Sequence, residues 1–136
     1  MIELTLAMAE RAVRAAQERA RALGTPMTVT VVDEAGRLVL AARGDGTGFL
    51  TPETSRAKAT AAAAFRRSTA EMQAAGARGW GFWQAVSAVT QGQVLPTLGG
   101  APMVAGGRVI GGIGCGGGTG EQDQECADAG AAALEG

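Results

Sequence analysis

Side chains able to transfer protons or hold an anion are concentrated in one segment after the first predicted hairpin. The sequence has no histidine and no tyrosine, so acid–base chemistry must use carboxylates. Asp45 and Glu53 are candidate catalytic residues for proton transfer, as is Asp123 further along the chain. Arg43, Arg56 or Lys58 could hold a carboxylate or polarise a carbonyl. Isomerisation, cyclisation or hydration would suit such a set. The alternative interpretation is an exposed loop of mixed charge.

Lys58 is the only lysine of the chain, and alanines flank it on both sides. A lysine on a helix face that packs this closely is either paired with a carboxylate or functional. We therefore keep it as a candidate catalytic residue beside Asp45 and Glu53.

The glycine run near the C-terminus offers a second candidate site. Gly112-x-Gly114-x-x-Gly117 matches the dinucleotide fingerprint, but its strand belongs to a hairpin and acids follow where a phosphate would sit. The backbone N–H groups at the end of this strand could instead bind a carboxylate or an oxyanion. Alternatively, Glu121, Asp123 and the Thr119 hydroxyl satisfy that helix end. The candidate ligand-binding residues here are Cys115, Gly116, Gly117 and Thr119.

Three of the five aromatic residues lie together at Trp80, Phe82 and Trp83. They are either a core plug beneath a long loop or the apolar wall of a pocket that stacks on a flat ligand. On the second interpretation, Trp83 is a ligand-binding residue.

Composition excludes several classes of function. The 136 residues are expected to form one domain, residues 1–136. The net charge is −1, and the basic residues are spread along the chain. We therefore expect no nucleic-acid partner and, from the short apolar stretches, no membrane partner. The first residues lack a basic signal region, which favours a cytoplasmic location. Cys115 and Cys126 are expected to be reduced and buried, and no metal site is predicted.

Periodicity and turn signals indicate the elements that must position these residues. An apolar stripe from Ile2 to Leu23 predicts a first helix, with Gly24 as its C-cap. Thr51 is the predicted N-cap of a second helix that breaks near Ser68. Thr119 opens a capping box before the last helix, 121–135. Strands are predicted at 27–33, 37–43, near 93–98, at 101–105 and at 108–115. The fold class is therefore α+β, a mostly antiparallel sheet of about five strands with helices packed on it.

The order and spacing of these elements resemble the GlcG/HbpS family of small haem-binding or haem-degrading-type proteins, also seen as the C-terminal domain of PduO-type proteins. The matching segments are the hairpin VTVVDEAGRLVLAARGDG, the helix segment SRAKATAAA and the C-terminal GGAPMVAGGRVIGGIGCGGGTGEQDQECADAG. The resemblance implies homo-oligomers and a small-ligand pocket near the loop after the second strand and the glycine loop. It also implies haem or corrinoid as a ligand class.

The resemblance implies haem as a cofactor, yet no histidine is available to bind its iron. The remaining candidate iron ligands are Cys115, Cys126, Met103 and Thr119. Three functions stay open. The chain is a homo-oligomeric protein that binds a planar or carboxylated small molecule, an enzyme that performs acid–base chemistry in the same pocket, or an assembly or chaperone-like protein without a pocket.

Overall fold

The computed structural model describes residues 1–134, which form five helices and one four-stranded sheet. Along the chain the elements are α1 (Leu6–Leu23), β1 (Thr28–Asp33), β2 (Leu38–Ala42), α2 (Thr51–Phe65), α3 (Thr69–Ala77), α4 (Gly81–Val89), β3 (Gly100–Ala105), β4 (Arg108–Gly116) and α5 (Gly120–Ala132). The strand order is β2-β1-β4-β3, and every neighbouring pair is antiparallel.

Successive side chains of β1 point to opposite faces of the sheet, and both faces are covered. Val29 and Val31 join the main apolar core with α1 and α5. Thr28 and Thr30 point to the other face, where their hydroxyls bond to the α2 hydroxyls of Thr51 and Ser55 at 2.9 and 2.8 Å. Helix α2 therefore covers one face of the sheet, and α1 with α5 covers the other.

Glycines on β4 allow α2 to lie almost against the sheet backbone. A Cβ atom on Gly114 would overlap the Ser55 carbonyl, and one on Gly112 would overlap the Ala59 carbonyl. The glycines of β4 and the alanines of α2 are thus two halves of one close contact.

Several predicted boundaries are confirmed. Gly24 ends α1 in the left-handed conformation, with φ of 71°. Ser68 caps α3 after the predicted break, and the Thr119–Gln122 capping box is present. Gly106 and Gly107 form the β3–β4 turn with φ of 60° and 75°. The last residues of the predicted closing helix, 135–136, lie outside the described residues.

Three predictions need correction. The fifth strand near 93–98 is irregular chain, since Pro96 has no N–H and the Leu95 N–H donates to the Ala57 carbonyl of α2. Helix α1 begins at Leu6, so Ile2 lies outside it. Leu50, and not Thr51, is the N-cap of α2, because the Thr51 hydroxyl is bonded to Thr28 and to the Gly48 carbonyl.

Within residues 1–134, no helix combines the length and the apolar character that crossing a membrane requires. The same residues contain no cluster of three or more His, Cys, Asp or Glu side chains arranged to hold a metal ion.

Candidate functional site

The first turns of α2 carry the strongest candidate site. Glu53 and Arg56 line a cleft of about 420 Å³ that also contacts the β1–β2 turn and the chain after α4. Both side chains also line a smaller apolar groove of about 220 Å³ against β2. We call the two together the Arg56 cleft. Its lining residues are Ala35, Gly36, Ala57, Thr60, Gln91, Gly92 and Gln93 on one side, and Thr30, Leu38, Ala41 and Pro52 on the other.

Helix geometry and the hydroxyl bonds to β1 fix this site. Residues three apart lie on the same side of a helix, so Glu53 and Arg56 face the same solvent volume. The Ser55 hydroxyl, bonded to Thr30 at 2.8 Å, sets the rotation of α2 that exposes them. Within residues 1–134, neither Glu53 nor Arg56 has an ion-pair or side-chain hydrogen-bond partner. Both charges are therefore available to a ligand.

Arg43 and Asp45 lie at a different cleft, of about 310 Å³, between the C-terminal end of α1 and the loop after β2. Arg21 of α1 contributes a second guanidinium there. The structure thus separates the predicted group of charges into two sets. Arg43 lines no surface in common with Arg56 among the described clefts.

Lys58 lies apart from both clefts, inside the protein. Its Nζ donates to Asp123 Oδ2 and to the Cys115 carbonyl, each at 3.0 Å. Of the two interpretations of this lysine, the structure shows the carboxylate pair. A proton-transfer role for Lys58 stays a prediction, and the ammonium group has no access to a described cleft.

Burial and Lys58 act in opposite directions on Asp123. Desolvation raises the pKa of this carboxyl above its ordinary value, and the Lys58 ammonium and the Gly118 N–H lower it in part. The Gly118 N–H donates to Asp123 Oδ1 at 2.9 Å. Asp123 is therefore a buried structural anchor that is easier to protonate than an exposed aspartate.

The backbone N–H groups at the start of α5, directly after the glycine run, are bonded to nearby side chains of the protein. Besides Gly118, the Thr119 N–H donates to Gln122 Oε1 at 3.0 Å, and the Gln122 N–H donates to the Thr119 hydroxyl at 3.2 Å. Gly116 is buried, and Gly117 is exposed with φ of 144°. The Gly118 and Thr119 amides thus have no free N–H, and ligand binding by Gly116, Gly117 and Thr119 stays a prediction.

Both thiols point into the apolar core between the sheet and the α1–α5 layer. Cys115 and Cys126 are fully buried free cysteines. Desolvation raises the pKa of Cys126 to about 11 and that of Cys115 well above its ordinary value. What Cys115 presents to Lys58 is its backbone carbonyl, while its thiol stays neutral at pH 7.

Trp83 belongs to an aromatic cluster with Phe65, Trp80 and Phe82, whose ring centroids lie 4.9–6.4 Å apart. Trp83 is buried against Met72, whereas Trp80 and Phe82 are about half exposed. The cluster is both a core plug and a cleft wall, because Trp83 also lines a groove of about 480 Å³ between α3 and α4.

Sequence reasoning missed three glutamines. Gln91 and Gln93 line the Arg56 cleft from the chain after α4. The Gln124 side chain accepts from the Gly99 N–H at 2.7 Å and donates to the Gly100 carbonyl at 3.0 Å, which joins α5 to the start of β3. Of the three, only Gln124 had a signal in the sequence, because it is a polar residue at a position of the last helix that should be buried.

Comparisons with known proteins agree with this architecture. Residues 4–132 match the family model described as haem degrading protein HbpS-like. The chain is 31% identical over 125 residues to an uncharacterized 15.0 kDa protein of Citrobacter freundii, covering 92% of this chain and 87% of that protein.

Two solved structures are also similar. A double mutant of Streptomyces reticuli HbpS has a TM-score of 0.86 at 34% identity, covering 100% of this chain and 90% of that one. The complex of PduOC with heme has a TM-score of 0.87 at 30% identity, covering 98% of this chain and 96% of that one. With a family model that matches almost the whole described chain, the protein belongs to the HbpS-like family.

Proposed function

We propose that this protein binds a planar carboxylated small molecule at the Arg56 cleft. In this proposal, no side chain of the protein coordinates a metal in the ligand. The observation that carries the proposal is the guanidinium of Arg56, which has no ion-pair partner among residues 1–134 and lies where a cleft of mixed polarity meets an apolar groove. A guanidinium holds a carboxylate through two parallel N–H donors. The apolar groove beside it suits the body of an amphipathic acid.

The relatives suggest haem as a ligand, since one similar structure is a heme complex. The donors of this chain do not fit an iron-ligating haem site. Histidine and tyrosine are absent, and Cys115, Cys126 and Met103 lie fully buried in the main core, away from every described cleft. Thr119 is occupied in capping α5. We therefore place recognition at the carboxylates of the ligand.

The test uses metal-free protoporphyrin IX as a planar dicarboxylate probe, titrated against tryptophan fluorescence. Arg56→Gln should weaken binding about tenfold, the loss expected for one charge-assisted hydrogen-bonded contact. Arg14→Gln changes the same charge at an exposed α1 position that lines no described cleft, and it should leave affinity unchanged. If Arg43→Gln weakens binding and Arg56→Gln does not, the ligand occupies the cleft of Arg43, and the Arg56 assignment is wrong.

A second candidate function rests on Glu53, which lines the same two surfaces as Arg56 and also lacks a partner within residues 1–134. A carboxylate beside a guanidinium can take a proton from the carbon next to a carbonyl while the cation holds the enolate oxygen. Pyruvate in D₂O is the probe, and methyl deuteration followed by NMR is the readout. Catalysis requires exchange above the buffer rate that Glu53→Gln removes, whereas a pure binding site gives none.

Self-association is part of the proposal. The edge strand β2 presents Leu38, and the two residues before α2, Phe49 and Leu50, are 93% and 60% exposed. Phe49 and Leu50 are neighbours in the chain, and exposed apolar side chains that form a contiguous patch are typical of protein contact sites. Light scattering should show a homo-oligomer that Phe49→Ser weakens. A monomer across the dilution range would remove this part of the proposal.

A further inference from the structure

The chain that follows α4 closes one side of the Arg56 cleft. Gln91, Gly92 and Gln93 all line the part of the cleft that has a volume of about 420 Å³, and all three are exposed. Arg56 and Glu53 line the same volume from α2. The chain after α4 therefore meets any ligand that Arg56 holds there.

Gln91 occupies a backbone position at which glycine is the usual residue. Its N–H donates to the Ala88 carbonyl at 3.1 Å, and the Gly92 N–H donates to the Ser87 carbonyl at 2.8 Å. These two bonds form a Schellman motif, in which the first residue after the cap is left-handed and is commonly glycine. Gln91 has φ of 56°. A Cβ atom is crowded by the backbone in this conformation, so glutamine is retained here at a cost in stability that the turn does not require.

Side-chain amides are the only donors that this segment can offer to a ligand. The three backbone N–H groups are already bonded, that of Gln93 to the Thr90 carbonyl at 3.2 Å. Within residues 1–134, the side-chain amides of Gln91 and Gln93 form no hydrogen bond, and the carbonyl oxygens of residues 91–93 accept none. The segment thus combines free amide donors with free carbonyl acceptors, which suits a hydroxyl group, since a hydroxyl both donates and accepts.

The charges of the cleft exclude a second anion at this end of the ligand. Glu53 is the only acid that lines the cleft, and Arg56 is the only cation. With Arg56 bonded to one ligand carboxylate, a second carboxylate would meet Glu53 and two neutral amides without a counter-charge. The ligand group that faces Gln91 is therefore uncharged.

We propose that Gln91 is a specificity-determining residue, whose side-chain amide hydrogen-bonds a hydroxyl group on a planar carboxylic acid held by Arg56. This inference rests on the carboxylate site proposed above and narrows its ligand to hydroxylated acids with one carboxylate. The ring of the acid lies between the two polar ends of the molecule. A cleft with a few convergent polar groups beside apolar surface is the usual composition of a small-molecule site.

The first test compares cinnamate with para- and meta-hydroxycinnamate by calorimetric titration at about pH 7, where the phenol is uncharged. The three acids share the ring and the carboxylate, and the two isomers place the hydroxyl at different distances from the carboxylate. At least one isomer should bind about fivefold more tightly than cinnamate, the ratio that one neutral hydrogen bond supplies. Equal affinities for all three acids would overturn the proposal.

Gln91→Gly separates a role in binding from a role in the fold, because the two quantities should change in opposite senses. The preference for the hydroxylated acid should disappear and cinnamate binding should stay within about twofold, while relief of the left-handed strain raises the Tm by about 2–4 °C. Arg66→Gly is the matched control, since Arg66 also has φ of 56° but lines no described cleft. It should raise the Tm and keep the preference. A preference that survives Gln91→Gly, or a Tm below that of the parent, would overturn the proposal.

Failure of this inference is distinguishable from failure of the carboxylate site. If Arg56→Gln weakens all three acids but the hydroxyl gives no preference, the site stands and the role of Gln91 is wrong. If protoporphyrin IX binds in an Arg56-dependent way and no cinnamate binds saturably, the same conclusion follows. If Arg56→Gln leaves the affinity for every acid and for protoporphyrin IX unchanged, both proposals are wrong.

Discussion

Lys58 and Asp123 form an ion pair inside the protein, with 3.0 Å between Nζ and Oδ2 and side chains that are 8% and 7% exposed. Lys58 belongs to α2 on one face of the sheet, and Asp123 belongs to α5 on the other. The pair therefore joins the two helical layers past the end of β4, where Lys58 also bonds to the Cys115 carbonyl. The only lysine of the sequence is therefore a buried contact between these two layers.

Removing one partner should cost much more than removing both. Lys58→Met leaves the Asp123 carboxyl buried and unpaired, so the free energy of unfolding in urea should fall by about 3–5 kcal/mol. The double variant Lys58→Met/Asp123→Leu buries no charge and should recover more than half of that loss. A Lys58→Met variant that loses less than about 1 kcal/mol would show that the pair contributes little to stability.

The pair also predicts a pH dependence. The pKa of Asp123 is raised in the folded protein, so the stability this group contributes is present below its ordinary pKa of 3.8 and is lost as pH rises through the folded pKa. Lys58→Met removes the cation that lowers this pKa, which extends the loss to higher pH. Between about pH 5 and about pH 8, the variant should lose more unfolding free energy than the parent. Adding Asp123→Asn should abolish the difference in slope, and a slope that survives belongs to another group.

Gly114 tests the close contact between α2 and the sheet. Gly114→Ala places a methyl group against the Ser55 carbonyl and should destabilise the fold by at least about 2 kcal/mol. Gly81→Ala is the matched control, because a Cβ there meets nothing within 4 Å and φ is not in the left-handed region. Thermal unfolding should show a large loss for the first variant and none for the second. Equal effects would mean that the contact tolerates a wider spacing.

The buried thiols predict slow alkylation. Both pKa values are raised and both side chains are fully buried, so iodoacetamide at about pH 8 should label neither Cys115 nor Cys126 in the native protein and both in denaturant. Glu121→Cys places a thiol at an exposed position and should react at once. Mass spectrometry counts the added groups. Rapid native labelling of Cys115 would reopen it as a ligand of an iron centre.

Local signals predicted the elements, because caps and turns act within a few residues. Gly24, Ser68 and the Gly106–Gly107 turn mark ends that backbone hydrogen bonds decide locally. The predicted fifth strand had no such signal at its ends. Its absence from the sheet follows from Pro96, which has no N–H, and from the hydrogen bond between Leu95 and α2. That hydrogen bond is known only once the position of α2 is known.

The site was harder to predict, because it depends on how α2 is rotated against the sheet. Glu53 and Arg56 share one side of the helix, whereas Lys58, two residues on, cannot face the same way. This difference in direction could have been predicted from the spacing of the residues alone. Gln91 and Gln93 were not predictable, since they reach the cleft from a distant loop whose position depends on tertiary packing.

A carboxylated ligand that binds at the Arg56 cleft, with no protein side chain coordinating a metal, should bind equally well with and without iron. Parallel titrations of the protein with haemin and with metal-free protoporphyrin IX test it most directly, since the two molecules share their carboxylates and differ in the iron. The two dissociation constants should agree within about threefold and rise together in Arg56→Gln. Haemin that binds more than about thirtyfold more tightly than protoporphyrin IX, with a shifted Soret band that Arg56→Gln leaves in place, would contradict it.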